Sequence, residues 1–234
     1  MRQIILDTET TGFDPKTGDR IIEIGAVELF KRRLTQNTYH QYIQPERSVP
    51  LDAIAVHGIT DKFLLDKPIF SLIVDDFMAF VSGAELIIHN APFDVGFINH
   101  ELARLKNNRW GKIEDHCTIT DSLKMARKTY PGQRNSLDAL CKRLYIDNSN
   151  RTLHGALLDS EILADVYLAM TGGQTHLLLN SETPSSEESR EQNALKAQRP
   201  SGLLKVLYAN DIELQEHHNK LTEISKKSGL SLAW

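Results

Sequence analysis

Hydrophobic positions recur at intervals of three and four across residues 70–81, where Phe70, Ile73, Val74, Phe77, Phe80 and Val81 fall on one face of a helix that Gly83 ends. Elsewhere the apolar residues come in short runs or alternate with polar ones, which predicts strands. Ile4, Ile5 and Leu6 open the first strand, and residues 21–29 and 37–43 resume after the turn-rich residues 14–19. Short connections between these three predict an antiparallel start to a sheet. Residues 85–89, E-L-I-I-H, form a short buried strand, and residues 115–120 another.

Helical spacing returns after Pro92, through Phe97, Ile98, Leu102 and Leu105. Asp121 or Ser122 caps a helix as far as Arg127, and Ser136 caps one whose Leu137, Leu140, Cys141 and Leu144 make a packing stripe. The longest pattern spans residues 152–170 and is closed by Gly172 and Gly173. Residues 50–60 are too broken for a long helix, and His57 followed by Gly58 predicts a short turn on the surface. Residues 181–198 are rich in Ser, Glu, Gln and Thr and predict a flexible linker. Beyond it lie a strand at 203–208, a helix capped by Asn210 or Asp211 and running to Lys227, and an apolar tail at 230–234. About 30 residues are too few for an independent core, so this segment is expected to dock on another protein.

Composition narrows the class of function. With 234 residues, 41% hydrophobic and 25% charged, the chain has ample material for a core. A net charge of −4 argues against a protein that coats DNA, but allows nucleic acid at a small site where metal ions supply the positive charge. Cys117 and Cys141 lie in apolar runs and are expected as buried, reduced thiols. No apolar run approaches the ~20 residues that span a bilayer. Met1-Arg2-Gln3 leads straight into a strand without the apolar region of a signal peptide, and a cytoplasmic protein is expected.

Candidate chemistry begins where the first strand ends. Alternation puts Asp7 and Glu9 on the same side of the backbone, where two carboxylates repel unless a cation neutralises them. Hard oxygen ligands of this kind suit Mg²⁺ or Mn²⁺. Alone, D-x-E describes ordinary acids at a strand end equally well. Asp94, in the first turn of its helix, either favours the helix dipole or joins such a site. His154 and Asp159, five apart, are separated by roughly 140° around a helix axis. They share one site only if His154 lies outside the regular helix, which Gly155 permits.

Taken together, D-T-E at 7–9, H-N-A-P-F-D at 89–94 and H-G-A-L-L-D at 154–159 resemble the three motifs of the DEDD superfamily of 3′→5′ exonucleases. Gly155 stands where the sister branch has Tyr, so the resemblance is to the His-bearing branch. Likeness continues through E-I-G-A-V at 23–27, H-G-I at 57–59, N-S-L-D-A-L-C at 135–141 and the C-terminal tail, so it covers essentially the whole chain, which looks like the proofreading subunits of bacterial replicative polymerases. The resemblance implies an α/β fold with an RNase H-like exonuclease domain at 1–173, its mixed sheet flanked by helices. It also implies a linker region at 174–202 and a segment at 203–234 that tethers the chain to the polymerase catalytic subunit. It makes Asp7, Glu9, Asp94 and Asp159 ligands of two Mg²⁺ or Mn²⁺ ions, gives Glu9 a further role in positioning the attacking water, and makes His154 the general base. Thr8, Asp52, His57 and Phe93 are implied contacts to the terminal nucleotide of a single-stranded or frayed DNA 3′ end. Asp52 stands where the longer Glu is expected.

Gln174 followed by leucines to Leu179 looks like the short peptides that bind the bacterial sliding clamp, and a small accessory subunit on the nuclease domain also fits the resemblance. An RNA-directed member of the superfamily is the nearest alternative, against which the linker and tail at 181–234 argue. A scaffold without catalysis would have lost a metal ligand or the base, and all five residues are present.

Overall fold

The computed structural model describes residues 2–149, 151, 153–172 and 209–228. β1 (Arg2–Thr10), β2 (Ile21–Phe30) and β3 (Arg33–Tyr42) form an antiparallel meander, as the short connections predict. β4 (Glu85–Ile88) pairs in parallel with β1 and β5 (Thr118–Asp121) in parallel with β4, giving the order β3-β2-β1-β4-β5. The β2–β3 hairpin turns at Lys31 and Arg32, whose φ values of 50° and 63° are the left-handed pair of a two-residue loop. Neither residue is the Gly or Asn that usually signals such a turn, so β3 begins at 33 rather than at the expected 37.

Parallel pairing needs crossovers, and helices supply them. The chain leaves β3 through two short helices, α1 (Leu51–His57) and α2 (Asp61–Leu64), then α3 (Phe70–Val81) returns it to β4 and α4 (Ala91–Arg104) to β5. α5 (Ser122–Thr129), α6 (Leu137–Leu144) and α7 (Ala156–Thr171) follow. Asp121 caps α5 through the Leu123 and Lys124 amides, and Ser136 caps α6 through Ala139. Alternate strand residues build two cores. Ile4, Leu6, Ile24, Leu86 and Ile88 pack with Phe77 of α3 and Phe97 of α4 on one face, and Ile5, Val27, Leu29 and Ile87 with Leu163 and Tyr167 of α7 on the other.

Two expectations need correction. Residues 113–115 form a tight helical turn in which Asp115 Oδ2 accepts the Lys112 N–H at 2.9 Å, so β5 starts at Thr118, three residues late. His57 is not on the surface: it closes α1, Gly58 turns the chain away at φ 74°, and the residue is only 6% exposed. Both cysteines are buried and free.

By contact the chain divides into Met1–Leu177 and Leu178–Trp234. In the second unit α8 (Asp211–Ser228) begins with a reciprocal cap, Asn210 and Glu213 each accepting the other's N–H at 2.9 Å. Ile212, Leu214 and Ile224 are exposed on it. The motif at 174–179, the linker at 181–198, the strand at 203–208 and the tail at 230–234 lie outside the described residues. Among the described residues no helix is long and apolar enough to cross a membrane.

Candidate active site

β1 delivers its acids by the same alternation that builds the core. Ile5 faces α7, so Asp7 and Glu9 continue that face, while Leu6 and then Thr8 face α4. Thr8 Oγ1 accordingly donates to Asp94 Oδ1 at 2.6 Å. Glu9 lies opposite Glu23 of β2, and the register slips immediately beyond that pair, a bulge that ends the regular ladder beside the acids.

Asp94 reaches the site from the first turn of α4, behind Pro92 and a left-handed Asn90 at φ 70°. Two turns further along α4 a buried fork fixes the helix: Arg20 donates to both oxygens of Glu101, at 2.7 and 2.8 Å. Asp159 and His154 come from the start of α7, which lies directly against β2. A Cβ on Gly25 would stand 2.1 Å from the Leu157 nitrogen, so only glycine admits this approach. Ser160 Oγ donates to the Gly25 carbonyl at 2.8 Å, and the Ala156 N–H donates to Glu23 Oε2 at 3.2 Å. Glu23 also bonds His40 Nε2 at 2.7 Å. His154 lies outside the helix, as the spacing requires, and its N–H donates to the Val56 carbonyl at 3.1 Å.

These anchors bring ligand atoms of Glu9, His154 and Asp159 within 4.8 Å of one another. Asp7 and Asp94 line the same cleft, of about 270 Å³. Burial, with Asp94, Glu9 and Asp159 as neighbours, pushes the Asp7 carboxyl well above its usual range. Burial and the Asp159 and Glu23 charges push Glu9 up to about 8, and burial pushes Asp94 up to about 7 against the Thr8 hydrogen bond. Crowded acids of this kind ionise together only when a cation joins them. Clustered hard oxygen donors beside one imidazole suit a small divalent ion.

A second cleft, of about 490 Å³, adjoins the first and shares Thr8, Glu9 and Phe93 with it. All four expected nucleotide contacts line it: buried Thr8, half-buried Phe93 with its ring tilted against Phe97 at 4.9 Å between centroids, exposed Asp52 in the first turn of α1, and His57. His57 Nδ1 accepts the Ile59 N–H at 3.0 Å, which leaves the ring proton on Nε2. Burial holds the ring neutral, and Nε2 has no partner among the described residues.

Sequence reasoning missed three contributors. Gly25, isolated within an apolar strand, carries the usual signal of a close backbone approach. Glu23 reads as one more polar strand residue. Arg151 sits in a polar run without periodicity, yet its guanidinium donates to both oxygens of Asp159, at 2.5 and 2.7 Å, to Asp138 Oδ1 at 2.7 Å and to His154 Nδ1 at 2.9 Å.

Comparison with known proteins places this geometry. The model of the exonuclease family matches residues 4–167. DNA polymerase III subunit epsilon of Escherichia coli is 51% identical over 235 residues, 99% of this chain and 96% of the relative. Its counterpart from Haemophilus influenzae is 53% identical over 243 residues, 100% and 94% of the two chains. Among solved structures, exonuclease X in complex with 5′ overhanging duplex DNA is 25% identical with a TM-score of 0.57, over 73% of this chain and 91% of that one. An exonuclease I structure is 19% identical with a TM-score of 0.61, over 74% of this chain and 41% of that one, a likeness of fold.

Proposed function

The chain belongs to the exonuclease family and, along nearly its whole length, to the DNA polymerase III epsilon subunits, and on that basis we propose that it is a proofreading 3′→5′ exonuclease that hydrolyses the 3′-terminal phosphodiester of DNA and releases 5′-mononucleotides. The observation that carries the reading is the meeting of Glu9, His154 and Asp159 within 4.8 Å, beside Asp7 and Asp94, where β1 ends.

Asp7, Glu9, Asp94 and Asp159 would hold two Mg²⁺ or Mn²⁺ ions. Such a pair lowers the pKa of the attacking water and stabilises the leaving 3′ oxygen. Glu9 orients the water with its carboxylate. His154 takes the proton at Nε2 when Nδ1–H faces Asp159 Oδ2, 3.5 Å away in the structure. The adjoining cleft seats the last nucleotide, its ring against Phe93 and its polar groups within reach of Thr8, Asp52 and the free Nε2–H of His57. A frayed 3′ end is already unpaired and so reaches such a site more readily than a paired one.

Residues 203–234, of which α8 is the described part, tether the chain to the polymerase catalytic subunit. Apolar Ile212, Leu214 and Ile224, exposed on α8, support this. Residues 174–179 contact the sliding clamp. Digestion of matched 5′-labelled single-stranded DNA and RNA oligonucleotides by the full chain tests the substrate: DNA is expected to shorten faster from its 3′ end, and equal or faster loss of RNA contradicts the assignment.

A further inference from the structure

We propose that Arg151 is an internal counter-cation that latches the site before divalent ions load, and that loading requires its guanidinium to leave Asp159. The inference rests on the reading of the acid cluster as a metal site. The cleft is lined by the five carboxylates Asp7, Glu9, Asp94, Asp138 and Asp159, and among its lining residues Arg151 alone carries a permanent positive charge. Its side chain is 8% exposed and points inward from the loop between α6 and α7.

The contacts are specific rather than diffuse. Nε and one terminal nitrogen form a two-pronged fork on Asp159, at 2.5 and 2.7 Å, the geometry in which a guanidinium satisfies a carboxylate best. Both Asp159 oxygens are thereby engaged, and a cation shared with Asp7 or Glu9 must compete with the guanidinium's positive charge for one of them. The same nitrogen that holds Asp159 Oδ2 also donates to His154 Nδ1 at 2.9 Å. A guanidinium has no acceptor, so Nδ1 contributes its lone pair and the neutral ring keeps its proton on Nε2. That is the tautomer unable to take a proton from water at Nε2. One side chain therefore occupies both groups that α7 and its leading loop bring to the site. Asp138, 62% exposed on α6 at the rim of the cleft, accepts the other terminal nitrogen at 2.7 Å and offers the guanidinium a hold away from Asp159 once it swings.

Competition fixes the direction of the effect. If Arg151 competes with the ion for Asp159, removing it tightens ion binding. If it merely props Asp159 in place, removing it weakens binding. The test is calorimetric titration of the full chain with Mn²⁺, without DNA, for the parent, Arg151→Gln and Arg151→Lys. Arg151→Gln is expected to bind Mn²⁺ about tenfold more tightly, equivalent to ~1.4 kcal/mol, and to melt at a lower temperature than the parent in EDTA, a gap that narrows in Mn²⁺. Arg151→Lys keeps the charge but loses the fork, so it is expected to tighten binding by a smaller factor. If Arg151→Gln does not fold, the Arg151→Lys titration decides. Unchanged or weaker binding in the folded variants overturns the latch while leaving the metal site intact. Absence of binding in the parent as well overturns the metal site and the latch with it.

Discussion

Gly25→Ala probes the packing that delivers His154 and Asp159 together. The added Cβ would stand 2.1 Å from the Leu157 nitrogen, 2.2 Å from the Ala156 carbonyl carbon and 2.4 Å from its oxygen. All three are backbone atoms of the first turn of α7, so no side-chain rotation relieves the contact. Ordinary contact begins at 3.4 Å, and the start of α7 must retreat from β2 by roughly 1.3 Å. Ala156 and Leu157 stand between His154 and Asp159 in sequence, so both functional groups move with them. The retreat also stretches the Ser160 bond to the Gly25 carbonyl and the Ala156 bond to Glu23. Overpacking of this kind costs about 1–3 kcal/mol, and a displacement near 1 Å at reacting groups costs about 100-fold in rate. The assay is turnover of a 5′-labelled single-stranded DNA oligonucleotide at saturating Mg²⁺, with a thermal melt of the same preparation. A variant that melts a few degrees lower yet folds, and has lost about two orders of magnitude in kcat, is expected. A folded Gly25→Ala protein with the parent's kcat would refute the claim that this contact positions the site.

Two further outcomes follow from the site's electrostatics. In EDTA the melting temperature is expected to fall as pH rises: Glu9 titrates at about 8 in the fold against 4.5 ordinarily, so between those values the folded chain keeps a proton that the unfolded chain has lost. At ~1.36 kcal/mol per pH unit this one group contributes up to about 5 kcal/mol, and Mn²⁺ should abolish most of the slope; a flat profile in EDTA would contradict the crowding of acids. His57→Phe removes a buried Nε2–H that has no partner among the described residues, and with it the Nδ1 acceptor of the buried Ile59 N–H, so the melting temperature is expected to fall modestly while inhibition by a nucleoside 5′-monophosphate weakens about tenfold. Unchanged inhibition would remove His57 from the nucleotide cleft.

The parts of the fold legible in the chain are those governed by local periodicity and punctuation. The helix at 70–81 and the Ser136 cap follow from apolar spacing and one hydroxyl, and both occur where expected. The turn at Lys31 and Arg32 was illegible because its left-handed pair carries side chains with no turn signature. His57 was misplaced to the surface because its burial comes from neighbours remote in sequence. Strand alternation was enough to predict that Asp7 and Glu9 share a face, whereas the five-residue spacing said only that His154 must leave the helix if it is to share a site with Asp159, which Gly155 permits. Arg151 stayed hidden for the opposite reason: a loop arginine has no periodicity, and its role depends on where the chain folds back.

The most direct measurement compares the parent and Asp7→Ala proteins on a 5′-labelled single-stranded DNA oligonucleotide in Mg²⁺, with an EDTA control. The parent is expected to shorten the strand from its 3′ end and to stop on addition of EDTA, and Asp7→Ala, folded by its melt, is expected to leave the strand intact. Digestion by Asp7→Ala at the parent's rate would contradict the assignment of the acids at the end of β1 as the centre of the reaction.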